Sequence, residues 1–152
     1  MRDAHKIGVL LAAIALLIVL LLLPKYSQGA HLEDVGDYVI RCNAITTTQL
    51  PAAAAKTYGI ERSDRRGLLN VAIESKRDSA HMVGADVSAE VSDLTGHKQP
   101  IALRETREEG DVDYIGDFPL SGSGAYVFTV KVTPSGRAQA YVVHFNQDYV
   151  VD

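Results

Sequence analysis

The segment "HMVGADVSAEVSD", residues 81–93, decides the fold because its apolar residues fall on every second position. Val83, Ala85, Val87, Ala89 and Val91 lie on one side of this alternation, and glycine or polar residues lie between them. A period of two is that of a β-strand with one buried face. The segment therefore predicts a strand in an antiparallel sheet whose other face meets solvent.

Six further segments show the same alternation. They span residues 36–48, 67–75, 99–108, 112–120, 125–132 and 139–150. The connections include "DLTGH", "EEGD", "SGSG" and "TPSGR", and their glycine, proline and small polar residues favour turns. About seven strands at spacings of roughly 10–15 residues predict an all-β protein with a single antiparallel β-sandwich.

The apolar side of each segment forms the predicted core. Outside residues 81–93, this core comprises Tyr38, Ile40, Cys42, Ala44, Leu69, Val71, Ile73, Ile101, Leu103, Val112, Tyr114, Phe118, Tyr126, Phe128, Val130, Val132, Tyr141, Val143 and Phe145. The sandwich is immunoglobulin-like in layout only, because the chain has one cysteine and no tryptophan. "LPAAAAKTYG", residues 50–59, interrupts the strands and predicts one short helix, since Pro51 suits its first turn and Gly59 its end.

Residues 1–29 have the composition of an export signal. Arg2 and Lys6 precede residues 7–23, all of which are apolar or glycine, and small residues follow at Ser27 and Gly29. The pattern predicts an N-terminal hydrophobic helix that is either a cleaved signal peptide or an uncleaved membrane anchor. Both alternatives place residues 30–152, as one β-sandwich domain, across the inner membrane, because the positive charge precedes the apolar segment. The predicted location is the bacterial periplasm.

The exported part is acidic. Three of the 15 Lys and Arg and one of the 19 Asp and Glu precede residue 30, which leaves 12 basic and 18 acidic residues and a formal charge of −6. Nucleic-acid binding requires a basic surface, so nucleic acid is excluded as a partner. Anionic membrane surfaces are disfavoured for the same reason. Membrane contact is therefore expected only through residues 7–23, if they are not cleaved.

Four segments together carry a family resemblance: "GDYVIRCNAI", "YGIERSDRRGLLNVAI", "RETREEGDVDYIGDFP" and "HFNQDYVV". In their order and spacing they resemble the bacterial exported family called domain of unknown function 4426, and they span most of residues 30–152. The resemblance implies an exported sandwich-like domain. It implies no established activity and no catalytic residues.

The charged segment "ERSDRRG", residues 61–67, lies between the predicted helix and the next strand. Arg62, Arg65 and Arg66 are the candidate binding residues, because a guanidinium binds carboxylates and other anions through two parallel hydrogen bonds. The alternative is a solvated structural loop in which Glu61 and Asp64 neutralise the arginines. Residues 59–67 and the turn at residues 108–111 are the predicted contact surfaces.

An enzymatic or metal-binding role is the alternative interpretation of a few residues. Cys42 or Ser123, with a histidine, would be the nucleophile of a small thiol or serine hydrolase, yet the alternation around Cys42 favours a buried apolar role. His81 and Met82 would be soft ligands of a periplasmic copper carrier. The acids between Glu105 and Asp117 lack the spacing of a known calcium loop, so they are interpreted as the polar side of a hairpin.

The sequence therefore predicts a non-enzymatic exported binding or accessory module of the bacterial cell envelope. No cofactor, metal site or catalytic residue is expected. The expected partner is an envelope protein or a small ligand, with Arg62, Arg65 and Arg66 as its contacts.

Overall fold

The computed structural model describes residues 30–152. The predicted N-terminal hydrophobic helix, whether signal peptide or anchor, lies outside the described residues, and the domain boundary at residue 30 stays a prediction. Within residues 30–152, no helix combines the length and the apolar composition needed to cross a membrane.

Ten strands and one α-helix follow one another along the chain. The strands are β1 (Ala30–Val35), β2 (Tyr38–Thr46), β3 (Arg66–Ser75), β4 (Asp78–Met82), β5 (Ala85–Ser92), β6 (Lys98–Ile101), β7 (Arg104–Glu108), β8 (Asp111–Pro119), β9 (Gly124–Pro134) and β10 (Tyr141–Tyr149). A short 3₁₀ turn (Thr47–Gln49) and the helix α1 (Ala52–Tyr58) connect β2 to β3.

The strands form two antiparallel sheets that pack as a sandwich. The first sheet has the order β1-β2-β3-β8-β7, with β4 paired to the end of β3, and the second has the order β10-β9-β5-β6. The predicted all-β sandwich with one short helix is confirmed. The predicted helix is also confirmed, with Pro51 preceding its first residue and Gly59 ending it in the left-handed conformation (φ 63°).

The core between the sheets is the predicted one. All residues of the predicted apolar faces belong to it or pack against it, and most of them are buried. Aromatic rings connect the two sheets at its centre: Phe118 of β8 meets Phe128 of β9 edge to face, with ring centroids 5.5 Å apart. Phe128 in turn stacks on Phe145 of β10 at 4.7 Å. Such pairs contribute about 0.5–1.5 kcal/mol each beyond the area they bury.

The structure has more strands than the sequence pattern indicates. β1 and β4 are short, and their apolar residues do not repeat at every second position over the whole strand, so neither shows a strong apolar period. The predicted strand at residues 99–108 is two strands, β6 in the second sheet and β7 in the first. Ala102 and Leu103 cross between the sheets there, and a Cβ built on Gly116 of β8 would lie 2.5 Å from the carbonyl oxygen of Ala102.

The outer face of the first sheet is partly covered. This corrects the expectation that one face of each sheet meets solvent. A second apolar cluster lies there, between the segment that carries α1 and strands β3 and β8. It consists of Leu50, Ala55, Ile60, Leu68 and Ile115, with Ile45 and Tyr58 against it. The helix and the segment after it therefore cover part of the sheet, and this cover was not predicted because helix packing is a tertiary contact.

Substitution of Gly116 tests the crossing of residues 102–103. We expect Gly116→Ala to destabilise the fold by about 1–3 kcal/mol, because backbone must shift to admit the methyl group. Urea denaturation followed by circular dichroism measures the change. Gly122→Ala is the control, since a Cβ at Gly122 meets no atom within 4 Å. Equal stability of the two variants would contradict the close approach.

Candidate functional site

The backbone of the arginine loop, residues 61–67, is held in place from two sides. The buried Thr47 hydroxyl donates to the carbonyl of Ser63 (3.0 Å) and accepts from its amide (2.9 Å). The carbonyl of Arg65 accepts a hydrogen bond from the amide of Leu120 (2.8 Å), which follows β8. Ile60, just before the loop, is buried in the second cluster. The loop is therefore an ordered joint between α1 and β3.

The three candidate arginines differ in what they contact. Arg66 donates from Nε (2.8 Å) and Nη2 (2.5 Å) to the Asp117 carboxylate of β8. Arg62 donates to the carbonyl of Thr48 (2.8 Å). Arg65 is exposed, and its guanidinium has no hydrogen-bond or ion-pair partner within residues 30–152. Two of the three side chains thus stabilise the fold, and their role in binding stays a prediction.

Gly67 ends the loop for a steric reason. A Cβ on Gly67 would lie 2.3 Å from Cζ of Phe118, inside the ring that joins the two sheets. Glycine is therefore needed at this position because it makes room for a core side chain.

The predicted turn at residues 108–111 lies against the end of α1. The Tyr58 hydroxyl donates to the Glu108 carboxylate (2.5 Å), and Arg104 donates to the carbonyl of Tyr58. Glu108 ends β7 at the predicted turn, where Glu109 (φ 50°) and Gly110 (φ 94°) form a two-residue connection. Positive φ at both positions suits a tight hairpin.

Asp113 is the strongly perturbed carboxyl of this region. Burial, followed by the charges of Asp111 and Glu108, raises the pKa of Asp113 to about 6. The hairpin is as predicted. Asp113, however, is half-buried on the sheet, whereas the sequence predicted that the acids of this hairpin are solvent-exposed.

The candidate nucleophiles do not have the surroundings of a catalytic site. Cys42 is fully buried, and burial raises the pKa of its thiol to about 12, so the thiol is protonated at neutral pH. Ser123 donates to the carbonyl of Val151 (3.2 Å) and accepts from its amide (2.8 Å), which fixes the C-terminal segment. Within residues 30–152, neither side chain hydrogen-bonds a histidine.

The candidate copper ligands do not converge. His81 is exposed with Nδ1 3.7 Å from an Asp111 oxygen, and the next residue, Met82, donates its amide to that same carboxylate (3.0 Å). Consecutive strand residues point to opposite faces. Across the described part of the chain, no three His, Cys, Asp or Glu side chains are grouped so as to hold a metal ion.

A cleft at the opposite end of β2 was not predicted. Its volume is about 380 Å³, and it lies between the β1–β2 turn and the β9–β10 connection. It is lined by Gly36, Asp37, Tyr38, Arg137, Ala138, Gln139 and Tyr141. Since Tyr38 pairs with Ser75 while Thr46 pairs with Gly67, the cleft and the arginine loop are separated by the length of β2, about 26 Å.

Two tyrosines and a glycine shape the cleft. Tyr38 and Tyr141 meet edge to face with centroids 6.5 Å apart. The Tyr141 hydroxyl lies where a side chain would begin on Gly36, 2.7 Å from an added Cβ. Gly36 also has a positive φ of 55°, which disfavours other residues in this turn. The turn therefore leaves room for the Tyr141 ring and for the cleft beside it.

Arg137 and Asp37 are the charged residues that line the cleft. The Nε of Arg137 donates to the Tyr38 hydroxyl (3.1 Å), while Nη2 stays 3.5 Å from Asp37. The bond with Tyr38 raises the pKa of the guanidinium, which is charged at all ordinary pH. Arg77 of the β3–β4 turn makes the closer contact with Asp37, at 3.0 Å.

Comparison with known proteins identifies the family. The model of the family described as Domain of unknown function (DUF4426) matches residues 32–152. The chain belongs to the DUF4426 family. The crystal structure of a DUF4426 protein from Pseudomonas aeruginosa PAO1 is 31% identical, with a TM-score of 0.71 over 84% of this chain and 99% of that one. The family resemblance read from the sequence is therefore confirmed.

The DUF4426 sandwich also resembles a more distant protein. FetP of uropathogenic Escherichia coli strain F11, expressed in the periplasm, is 11% identical with a TM-score of 0.57, over 80% of this chain and 94% of that one. The structure of a copper-bound variant of FetP is 12% identical in sequence, with a TM-score of 0.58, over 82% of this chain and 98% of that one. At this identity the likeness shows the fold alone. No curated protein matches the DUF4426 chain.

One signal in the sequence pointed toward the cleft. Gly36, Asp37 and Tyr38 open the first segment that carries the family resemblance, and all three line the cleft. Arg137, however, lies 99 residues after Tyr38, in an ordinary turn sequence. Only the pairing of the strands brings the two together.

The raised pKa of Asp113 predicts how stability depends on pH. An acid whose pKa is higher in the folded state loses stability as pH rises from its unfolded value near 4 to about 6. We expect Asp113→Asn to stabilise the protein at pH 7.5 by up to about 3 kcal/mol and to have little effect at pH 3.5. Urea denaturation of the wild type and the variant at both pH values measures the change in the free energy of unfolding. Exposed Asp86 of β5 provides the control, Asp86→Asn, and a pH-independent effect of Asp113→Asn would contradict the prediction.

Proposed function

We propose that this DUF4426 chain is a non-enzymatic exported binding module of the bacterial cell envelope, and that it takes a small ligand in the cleft between Tyr38 and Arg137. The observation that carries the proposal is the cleft itself. It combines aromatic walls, a fixed guanidinium and backbone at two turns. Ligand sites typically have this mixture of apolar surface and a few placed polar groups, in volumes of roughly 300–1,000 Å³.

Binding without catalysis is favoured by the surroundings of the possible nucleophiles. A thiol enzyme needs an accessible thiolate with a base beside it. Cys42 is buried among core side chains with a raised thiol pKa, and Ser123 is engaged with Val151. The cleft is lined by tyrosine, arginine, aspartate and glutamine, with no cysteine, serine or histidine among its residues.

A role as a copper carrier has less support than ligand binding in the cleft. FetP, which has the same general fold, has a variant whose structure is copper-bound. In the present chain the soft ligands His81 and Met82 follow one another on β4 and turn to opposite faces. A copper site needs several ligands that converge on one point, and within residues 30–152 no three His, Cys, Asp or Glu side chains do so.

The arginine loop is the proposed second contact, for an envelope protein with an acidic surface. Its backbone is fixed while Arg65 projects without a partner in the described chain. A rigid loop loses little conformational entropy when it binds. Arg62 contributes beside it, whereas Arg66 serves mainly to join β3 to β8.

Blocking the cleft tests the binding function. Ala138 lines the cleft and Ala140 does not, and both are exposed, so Ala138→Trp fills the cleft while Ala140→Trp adds the same side chain outside it. Each protein is dialysed against a small-molecule extract of the bacterial envelope, and retained compounds are identified by mass spectrometry. We expect wild type and Ala140→Trp to retain the same compounds and Ala138→Trp to lose them. Identical retention by all three would refute the cleft as the site.

Export is tested by removing the apolar segment. Deletion of residues 7–23 is expected to keep the sandwich in the cytoplasm, because nothing else in the sequence has the composition of an export signal. Osmotic shock followed by immunoblotting measures the fraction released from the periplasm. Release of the deleted chain at the level of the full chain would contradict export through this segment.

A further inference from the structure

We infer that the cleft selects a small organic monocarboxylate, held by the Arg137 guanidinium with its apolar body against Tyr141. The inference rests on the proposed binding function and adds the chemical class of the ligand. It derives from the position of Arg137, from the local balance of charge and from the walls of the cleft.

One hydrogen bond orients the Arg137 guanidinium, and its outer nitrogens have no closer partner than 3.5 Å within residues 30–152. The bond from Nε to the Tyr38 hydroxyl orients the guanidinium, and Tyr38 is itself only 8% exposed and therefore firmly placed. The Nη2 atom has only the distant Asp37 oxygen at 3.5 Å, beyond the usual length of a charged hydrogen bond. The outer nitrogens of Arg137 are thus available to a carboxylate that enters the cleft.

The carboxylate nearest to Arg137 lies closer to another arginine. Arg77 and Arg137 share the single carboxylate of Asp37, and Arg77 holds it at the shorter distance. Lys76 of the same turn is engaged by the Asp34 carboxylate and by the Gly36 carbonyl, so this pair is neutral. A monoanion matches the single positive charge of the Arg137 guanidinium, whereas a phosphate dianion would bring net negative charge next to Asp37.

The remaining walls suit an apolar ligand body. Tyr141 presents a half-buried ring that Tyr38 supports edge to face, and Ala138 adds a methyl group. The cleft volume, about 380 Å³, is at the small end of ligand sites. A short acid with one ring or a short alkyl chain would fill it, with the carboxylate at Arg137 and the body along Tyr141.

Acid and amide pairs test the class of ligand. Phenylacetate and hexanoate are titrated into the folded protein beside phenylacetamide and hexanamide, and inorganic phosphate is added separately, with amide NMR shifts as the readout. We expect each acid to shift Gly36, Asp37 and Gln139 saturably, and each amide and phosphate to bind at least about tenfold more weakly. Loss of a charge-assisted pair has this order of effect.

Matched arginine variants assign the effect to its residue. Arg137→Gln is expected to weaken acid binding at least about tenfold, and Arg137→Lys to weaken it less, because lysine keeps the charge without the planar fork. Arg107→Gln, which changes an exposed arginine of β7, three strands from β2 in the first sheet, should leave binding unchanged. Circular dichroism of each variant confirms that the sandwich is folded.

The outcomes separate the inference from the proposed function. Equal binding of acids and amides, tighter binding of phosphate, absence of saturable acid binding, or full binding by Arg137→Gln each overturns the inference. The proposed function stands in those cases if Ala138→Trp still abolishes retention of envelope compounds. Weakening by Arg107→Gln to the same extent as by Arg137→Gln would also overturn the inference, because the effect would not be specific to the cleft.

Discussion

The edge-to-face contact between Phe118 and Phe128 joins the two sheets, and much of the molecule is arranged around it. Phe118 also meets Tyr149 of β10 edge to face at 6.2 Å, so one ring contacts two strands of the opposite sheet. The ring needs the space above Gly67, where a Cβ would collide with it. The first residues of β3 and the last of β8 are therefore constrained together, since they pair across Gly67 and Phe118.

This constraint explains the charged loop that precedes β3. Because Gly67 is fixed by the core, Arg66 and Asp117 come to lie diagonally across the same strand pair and form their ion pair. Thr47, Ile60 and the Leu120 amide then hold the rest of the loop against the sandwich. The loop is mainly a structural joint, and Arg65 is its one arginine whose guanidinium has no partner within residues 30–152.

The other end of β2 is open, whereas the end beside the arginine loop is packed. Its turns are held by Lys76 and Arg77, and the space between them is left open beside Tyr38, Arg137 and Tyr141. A domain with a formal charge of −6 over residues 30–152 thus places in its cleft an arginine whose nearest carboxylate is shared with Arg77. In an acidic protein such a site attracts an anion only at short range, which favours a small ligand over an extended anionic surface.

The sequence by itself determined the sandwich, its core faces, the short helix and the family, because alternation and turn chemistry are local properties of the chain. It also indicated that Cys42 is buried and that "EEGD" forms a turn. Tertiary structure decided the rest: the transfer of residues 102–103 between sheets, the cover of α1 over the outer face, and the pairing of Arg66 with Asp117. The cleft belongs to this second class, since Arg137 reaches Tyr38 only after β9 and β10 have formed the second sheet and packed against the first.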